Sequence, residues 1–102
     1  MNNLESFFLK DVENFISGLE IKDQAKIASL VKSLEQNNFN ILYVKNLHSP
    51  IKELRVKSYR FIFFTKESSI YFIHAFIKKS NKTPKKELDY SNKIYKLFIK
   101  TI

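Results

Sequence analysis

Residues 70–86 read IYFIHAFIKKSNKTPKK and decide the plan of the chain. In the first eight residues, both sets of alternating positions are mostly apolar. This pattern predicts a central β-strand that is covered on one face and partly covered on the other. Two lysines follow, and a polar turn carries Lys82. Thr83 and Pro84 then predict a helix, with Thr83 as its N-cap and Pro84 as its first residue. A buried strand therefore carries a cluster of cations to one edge of a small domain, where they suit a phosphate-rich partner.

Two stretches before this strand alternate apolar and polar residues, which predicts two further strands. They run over residues 51–57 and 59–66, and the candidate turns are Lys57-Ser58 and Glu67-Ser68. Together with the strand at 70–77 they predict an antiparallel meander of three strands.

The first 38 residues predict a helical hairpin with one apolar face to bury. Apolar residues recur at the helical spacing at Val12, Phe15, Ile16 and Leu19. Gly18 is the expected end of this helix, and a second helix is expected over about 23–37. Residues 4–9 fit either an extra helical turn or a short edge strand, and residues 39–50 are interpreted as a connector with some strand character.

Length and composition predict one domain over residues 1–102. Ten Phe and five Tyr provide enough large side chains for a core, and the absence of Cys excludes disulfides and thiolate metal sites. The sequence shows neither a signal-peptide pattern nor an apolar run of the roughly 20 residues that span a bilayer. We therefore expect a cytoplasmic protein without a membrane partner.

The net charge of +8 is concentrated in the second half of the chain. Residues 1–50 carry five Lys against six acidic residues, whereas residues 51–102 carry eleven Lys and two Arg against four. Such a concentrated positive field favours nucleic acid or an acidic protein as a partner. The alternative is a basic surface that is merely solvated.

The candidate site residues share one face of the predicted sheet. Arg55 and Arg60, the only two arginines, lie on neighbouring strands, and alternation puts His74 and Lys78 on one face of the third. If the helical hairpin covers one sheet face, the other can gather all four. The arginines could instead form a cross-strand salt bridge with Glu53. His74 could be a buried core residue whose ring nitrogens are hydrogen-bonded within the protein, without a catalytic role.

The order of elements resembles the HigB branch of the RelE/ParE-like toxins of bacterial toxin–antitoxin systems, a group also described as phage Gp49-like. The resemblance is strongest over residues 51–98, where its motifs are ELR at 53–55, YR at 59–60, HAFIKK at 74–79 and KTPKKE at 82–87. It implies a two-layer α+β fold, in which two N-terminal helices pack on a small twisted antiparallel sheet and a C-terminal helix follows. The chain departs from the RelE type at Pro84, where that type has a tyrosine, and its first strand is short or missing.

The resemblance also implies a ribosome-dependent endoribonuclease that cuts mRNA in the decoding site. The implied partners are mRNA on the ribosome and a cognate antitoxin, a HigA-like helix-turn-helix protein, in a hetero-oligomer. Family motif positions match Arg55, Arg60 and Lys78, with Lys79 and Lys82 as neighbours. Two alternatives remain open: a non-enzymatic nucleic-acid-binding module, and a ParE-like inhibitor of a protein such as DNA gyrase.

RNA cleavage without a metal uses the 2′-hydroxyl as nucleophile and needs a base, an acid and cations near the phosphate. The sequence offers no plausible carboxylate–histidine pair and no metal-ligand spacing, so we expect a lysine–arginine site without metal or cofactor. Arg55 and Arg60 would grip the phosphate, while Lys78 and Lys79 would supply positive charge and proton transfer; His74 is a further catalytic candidate. The expected contacts to the RNA backbone are Lys52, Lys57, Lys82, Lys85 and Lys86.

Overall fold

A computed structural model describes residues 3–79 and 82–102. The described chain forms three helices and five strands, in the order β1 (Glu5–Phe8), α1 (Lys10–Ser17), α2 (Ile21–Glu35), β2 (Val44–His48), β3 (Ile51–Val56), β4 (Tyr59–Lys66), β5 (Ser69–Ile77) and α3 (Lys85–Ile99). No helix in these ranges is long and apolar enough to cross a membrane.

The five strands form one mixed sheet in the order β1-β5-β4-β3-β2. The antiparallel meander of β3, β4 and β5 is confirmed, with turns at Lys57 and Glu67, whose φ angles are 55° and 56°. The sheet has two strands beyond this meander. Residues 5–8 form the short edge strand that was one of the two options for residues 4–9, and this strand is parallel to β5. Part of the predicted connector forms β2 against β3. Both additions satisfy backbone groups that the meander alone would leave unpaired at its edges.

Helices cover both faces of this sheet, so the expected two-layer arrangement is corrected to three layers. On one face, α1 and α2 enclose a core with buried residues Val12, Ile27, Val31, Leu34, Leu54, Phe61, Phe63 and Phe72. On the other face, α3 places Ile94, Tyr95 and Phe98 against Ile51, Ile62, Phe64, Ile73 and Phe76. Four consecutive buried residues, 61–64, explain this arrangement, because alternation sends them to both faces and each pair needs a cover.

A β-bulge in β5 interrupts the predicted alternation of its side chains. Ile62 is paired with His74 and Phe63 with Phe72, so Ile73 is an extra residue on β5. As a result Ile73 packs in the same core as Phe76, although strict alternation puts them on opposite faces.

The helix ends differ in detail from those expected. Gly18 does follow the last residue of α1, whereas α2 begins two residues earlier than predicted. Pro84 is the residue before α3 rather than its first, and the Thr83 side chain does not cap the helix. The Thr83 hydroxyl instead donates a hydrogen bond to a glutamate on β3, which is the centre of the site.

Candidate active site

The centre of the site is Glu53, a carboxylate that is 0% exposed. Its Oε1 accepts a hydrogen bond from Arg55 Nε at 3.1 Å and lies 3.9 Å from Arg60 Nε. Its Oε2 accepts the hydroxyl of Thr83 at 2.9 Å. A buried charge is tolerated only when it is paired and hydrogen-bonded, and these three partners meet that requirement. We call Glu53, Arg55, Arg60 and Lys78 the Glu53 cluster.

Strand register brings the two arginines together. Arg55 on β3 is directly opposite Arg60 on β4, so two like charges face each other across the sheet. Such a pair is destabilising by itself. The negative charge of Glu53 offsets this repulsion, because Glu53 lies two residues from Arg55 on β3 and diagonally across from Arg60 on β4. The salt bridge that the sequence suggested is therefore present, and it holds both arginines on the α3 face of the sheet.

Arg60 is held further by its own backbone. Its Nη1 donates to the carbonyl oxygens of Lys57 at 2.7 Å and Tyr59 at 2.9 Å. Burial lowers the pKa of Arg60, and the nearby Glu53 charge opposes that effect. An arginine pKa is so high that the group stays charged at neutral pH. Arg60 is therefore a fixed cation, whereas the Arg55 side chain is more open to solvent, at 20% exposed against 13%.

Lys78 completes the cluster just beyond the end of β5. It is only 8% exposed, and its backbone N–H donates to the Ser58 carbonyl at 2.7 Å. Burial lowers its pKa, repulsion from Arg55 and Arg60 lowers it further, and Glu53 acts in the opposite direction. Desolvation and neighbouring positive charge both disfavour the charged ammonium form, whereas a neighbouring carboxylate favours it. The ammonium group of Lys78 therefore holds its proton less tightly than an ordinary lysine does.

His74 lies with a different set of residues. Its Nε2 is 2.7 Å from Glu87 Oε1 on α3, and its ring packs against Tyr90 with centroids 4.7 Å apart. The statement that the chain has no plausible carboxylate–histidine pair was therefore wrong. Glu87 is thirteen residues away in sequence, and only the packing of α3 on the sheet brings it to His74. This pair lines a cleft of about 360 Å³ that also includes Asp11 and Lys86.

The other predicted lysines are distributed around the fold. Lys57 pairs with Asp23 of α2, and Tyr59 donates to the same carboxylate at 2.8 Å. These hydrogen bonds lower the pKa of Asp23 and raise that of Lys57, so Lys57 ties β3 to the helical hairpin. Lys52 alternates onto the hairpin face with Leu54, away from Glu53. The remaining predicted lysines are exposed and follow Lys78 in the chain: Lys79, Lys82, Lys85 and Lys86.

Tyr43, which precedes β2, and Lys45, which lies on β2, were not among the residues predicted from the sequence. Arg55 Cζ lies 4.7 Å from the centroid of the Tyr43 ring, and the Arg55 backbone N–H donates to the Tyr43 carbonyl at 2.9 Å. Lys45 is directly opposite Glu53 and adds to the charge felt by Lys78. The sequence signal for both residues is the alternation of residues 43–48, which fits a strand. Interpreting residues 39–50 as a connector gave this alternation too little weight. Thr83 was also missed, because its position before Pro84 looked like that of a helix cap.

The family model described as Phage derived protein Gp49-like matches residues 14–96, which include all three helices in part or whole and strands β2 to β5. The chain therefore belongs to the Gp49-like family, which is part of the RelE/HigB-type toxins of toxin–antitoxin systems. A search of curated proteins found no match to the chain.

Proposed function

We propose that the chain is the toxin of a toxin–antitoxin system and acts as a ribosome-dependent mRNA endoribonuclease. The observation that carries this proposal is the Glu53 cluster, in which three cations surround one buried carboxylate and the lysine has a lowered pKa. Membership of a toxin family supports the general class. The particular reaction is inferred from the chemistry that these side chains can perform.

In the proposed reaction the ribose 2′-oxygen attacks the adjacent phosphorus while the bond from phosphorus to the 5′-oxygen breaks. The products are a 2′,3′-cyclic phosphate and a 5′-hydroxyl, so one proton leaves the 2′-oxygen and one reaches the 5′-oxygen. Arg55, the most open arginine, binds the non-bridging phosphate oxygens, and Arg60 adds fixed positive charge. Lys78 exchanges a proton with the reacting oxygens, a role for which its lowered pKa suits it.

The remaining lysines position the RNA. Lys79, Lys82, Lys85 and Lys86 are exposed and precede or begin α3, where they can contact successive phosphates. A flexible RNA strand must be held in a reactive geometry before it can be cleaved efficiently. We therefore expect slow cleavage of free RNA and rapid cleavage when the ribosome holds the mRNA in place.

The test is induced expression in bacteria with labelled amino-acid and thymidine incorporation measured in parallel. The wild-type chain should stop amino-acid incorporation before thymidine incorporation. In a separate cleavage assay, Lys78→Met should lower the rate of cleavage of ribosome-bound mRNA by about 10²–10⁴-fold. Methionine suits the nearly buried position because it is unbranched and apolar. Lys93→Met, the same change at an exposed position on α3, is the control and should remain toxic. A folded Lys78→Met protein that arrests translation as fast as wild type would refute the assignment.

The same experiment distinguishes the other function classes. If thymidine incorporation stops before amino-acid incorporation does, the chain is a ParE-like inhibitor of a target such as DNA gyrase. Growth without any arrest, combined with tight RNA or DNA binding in vitro, would indicate a non-enzymatic binding module. Arg60→Ala and Lys78→Ala should both restore growth if the ribonuclease proposal is correct.

A cognate antitoxin is the expected protein partner, since toxins of this family act with one. We propose a HigA-like helix-turn-helix protein whose acidic segment covers the Glu53 cluster and the exposed lysines before α3. Binding between exposed opposite charges weakens with salt. Affinity measured between 50 mM and 500 mM salt should therefore fall steeply, and a salt-independent affinity would contradict this mode of binding.

A further inference from the structure

We propose that Tyr43 is a stacking platform for an unpaired base of single-stranded RNA, next to the phosphate site at Arg55. The inference rests on the proposed function in one respect, namely that the ligand of the basic face is RNA. It adds a residue that reads the base, whereas the Glu53 cluster acts on the sugar–phosphate backbone.

The first observation is the exposure of the Tyr43 ring. Tyr43 is 62% exposed, and the neighbouring Phe39 and Ile41 are 52% and 61% exposed. These exposed side chains leave apolar surface available to a ligand. Tyr43 also lies on the sheet face of the Glu53 cluster, because the Arg55 guanidinium lies over its ring.

The second observation is the contact between Tyr43 and Arg55. The Arg55 guanidinium carbon lies over the ring, 4.7 Å from its centroid. One ring face is therefore occupied by a cation, while the residue as a whole remains 62% exposed. Aromatic side chains and arginine planes are the surfaces on which proteins stack splayed-out RNA bases. A base on Tyr43 would have its own phosphate beside the arginine that touches the same ring.

The third observation is that Arg55 is held in place beside Tyr43. Glu53 Oε1 accepts a hydrogen bond from Arg55 Nε at 3.1 Å, and a backbone hydrogen bond of 2.9 Å joins the Arg55 and Tyr43 main chains. A pre-ordered site loses less entropy when the ligand binds. An apolar protein segment would be a poor occupant by comparison, because the next positions across the sheet from Tyr43 are Arg55 and Arg60.

The experiment measures RNA binding by the full chain with a fluorescein-labelled single-stranded oligoribonucleotide. A second probe has the same length and backbone but abasic riboses at every position. Tyr43→Leu should weaken binding of the intact oligonucleotide by about 5- to 150-fold, the loss expected for one stacked base. The same variant should bind the abasic probe within about twofold of wild type. Tyr43→Phe keeps the ring and should match wild type on both probes.

Salt dependence and a matched variant separate stacking from charge. The slope of log affinity against log salt should be unchanged in Tyr43→Leu, because the ring carries no charge. Arg55→Gln should reduce that slope by about 0.7, the value for one lost contact to a single-stranded phosphate. Phe7→Leu makes a similar change at an exposed position on β1, the opposite edge of the sheet, and should leave binding unchanged.

Each outcome decides the proposal. A loss confined to the intact oligonucleotide supports it, whereas equal losses on both probes, no loss on either, or no RNA binding by wild type would each overturn it. Circular dichroism and thermal melting verify that the variants are folded, and Tyr43→Phe supplies a conservative reference. Base-dependent binding without translation arrest would reject the ribonuclease and keep the role of Tyr43. Arrest with base-independent binding would reject only the role of Tyr43.

Discussion

Replacing Glu53 with glutamine removes the negative charge at the centre of the site while keeping the size of the side chain. In the wild type this carboxylate is fully buried, accepts hydrogen bonds from Arg55 and Thr83, and lies 3.9 Å from Arg60. The amide oxygen can still accept one of these hydrogen bonds. What the substitution leaves behind is Arg55, Arg60 and Lys78 close together without a compensating anion.

The magnitude follows from the geometry of the cluster. Two unit charges 4 Å apart attract by about 4 kcal/mol at an effective dielectric constant of about 20. Breaking a buried ion pair costs about 3–5 kcal/mol, because the remaining charge stays buried. The arginines retain some solvent contact, which screens them, so we expect the low end, about 3 kcal/mol of unfolding free energy. For a domain of this size that corresponds to a decrease in Tm of about 12 °C or more.

Urea unfolding followed by circular dichroism measures this difference directly. Glu67→Gln, the same change at an exposed turn position, is the control and should alter the unfolding free energy by less than about 0.5 kcal/mol. In an Arg55→Met background the cost of Glu53→Gln should decrease, because the nearest partner of the carboxylate is already gone. A Glu53→Gln protein as stable as wild type would refute the view that this anion holds the cluster together.

Two further predictions concern the supports on either face of the sheet. Hydrogen bonds from Lys57 and Tyr59 lower the pKa of Asp23, so its contribution to stability is present above about pH 4 and is lost as pH falls through the lower folded pKa. Asp23→Asn should therefore melt below wild type at pH 7, and the gap should close as pH falls below about 4; a constant gap would contradict this. Phe64 is 1% exposed beneath α3, and Phe64→Ala should cost about 3–5 kcal/mol in urea unfolding. Faster hydrogen exchange in α3 should accompany that loss, and a cost below about 1 kcal/mol would show that α3 does not depend on this contact.

Local patterns predicted the elements whose signals are contained in one stretch of chain. The turns at Lys57 and Glu67 followed from short polar breaks between alternating strands, and the two helical stripes followed from a 3.6-residue period. The edge strands β1 and β2 could not be assigned in this way. Each is four or five residues long and partly exposed, so its conformation is set by hydrogen bonds to a buried neighbour rather than by its own sequence.

The same distinction applies to the candidate site. Alternation along β3 and β4 was enough to predict that Arg55 and Arg60 share a face, and strand parity carried Lys78 to that face as well. The sequence did not determine that Glu53 would be fully buried between them, that Thr83 would bind Glu53 instead of capping α3, or that Tyr43 would lie against Arg55. These contacts join residues from different elements, up to 30 positions apart.

His74 shows most clearly what only the tertiary structure decided. Its sequence neighbours are apolar, and alternation assigned it to the face of the arginines. Pairing with Ile62 keeps His74 on that face, and the packing of α3 there places its ring against Glu87 and Tyr90. The sequence by itself determined which strands and helices could form and where positive charge would collect, because those properties depend on composition and short-range period. The tertiary structure decided which charges are neutralised and which remain available to a ligand, because that depends on the packing of distant elements.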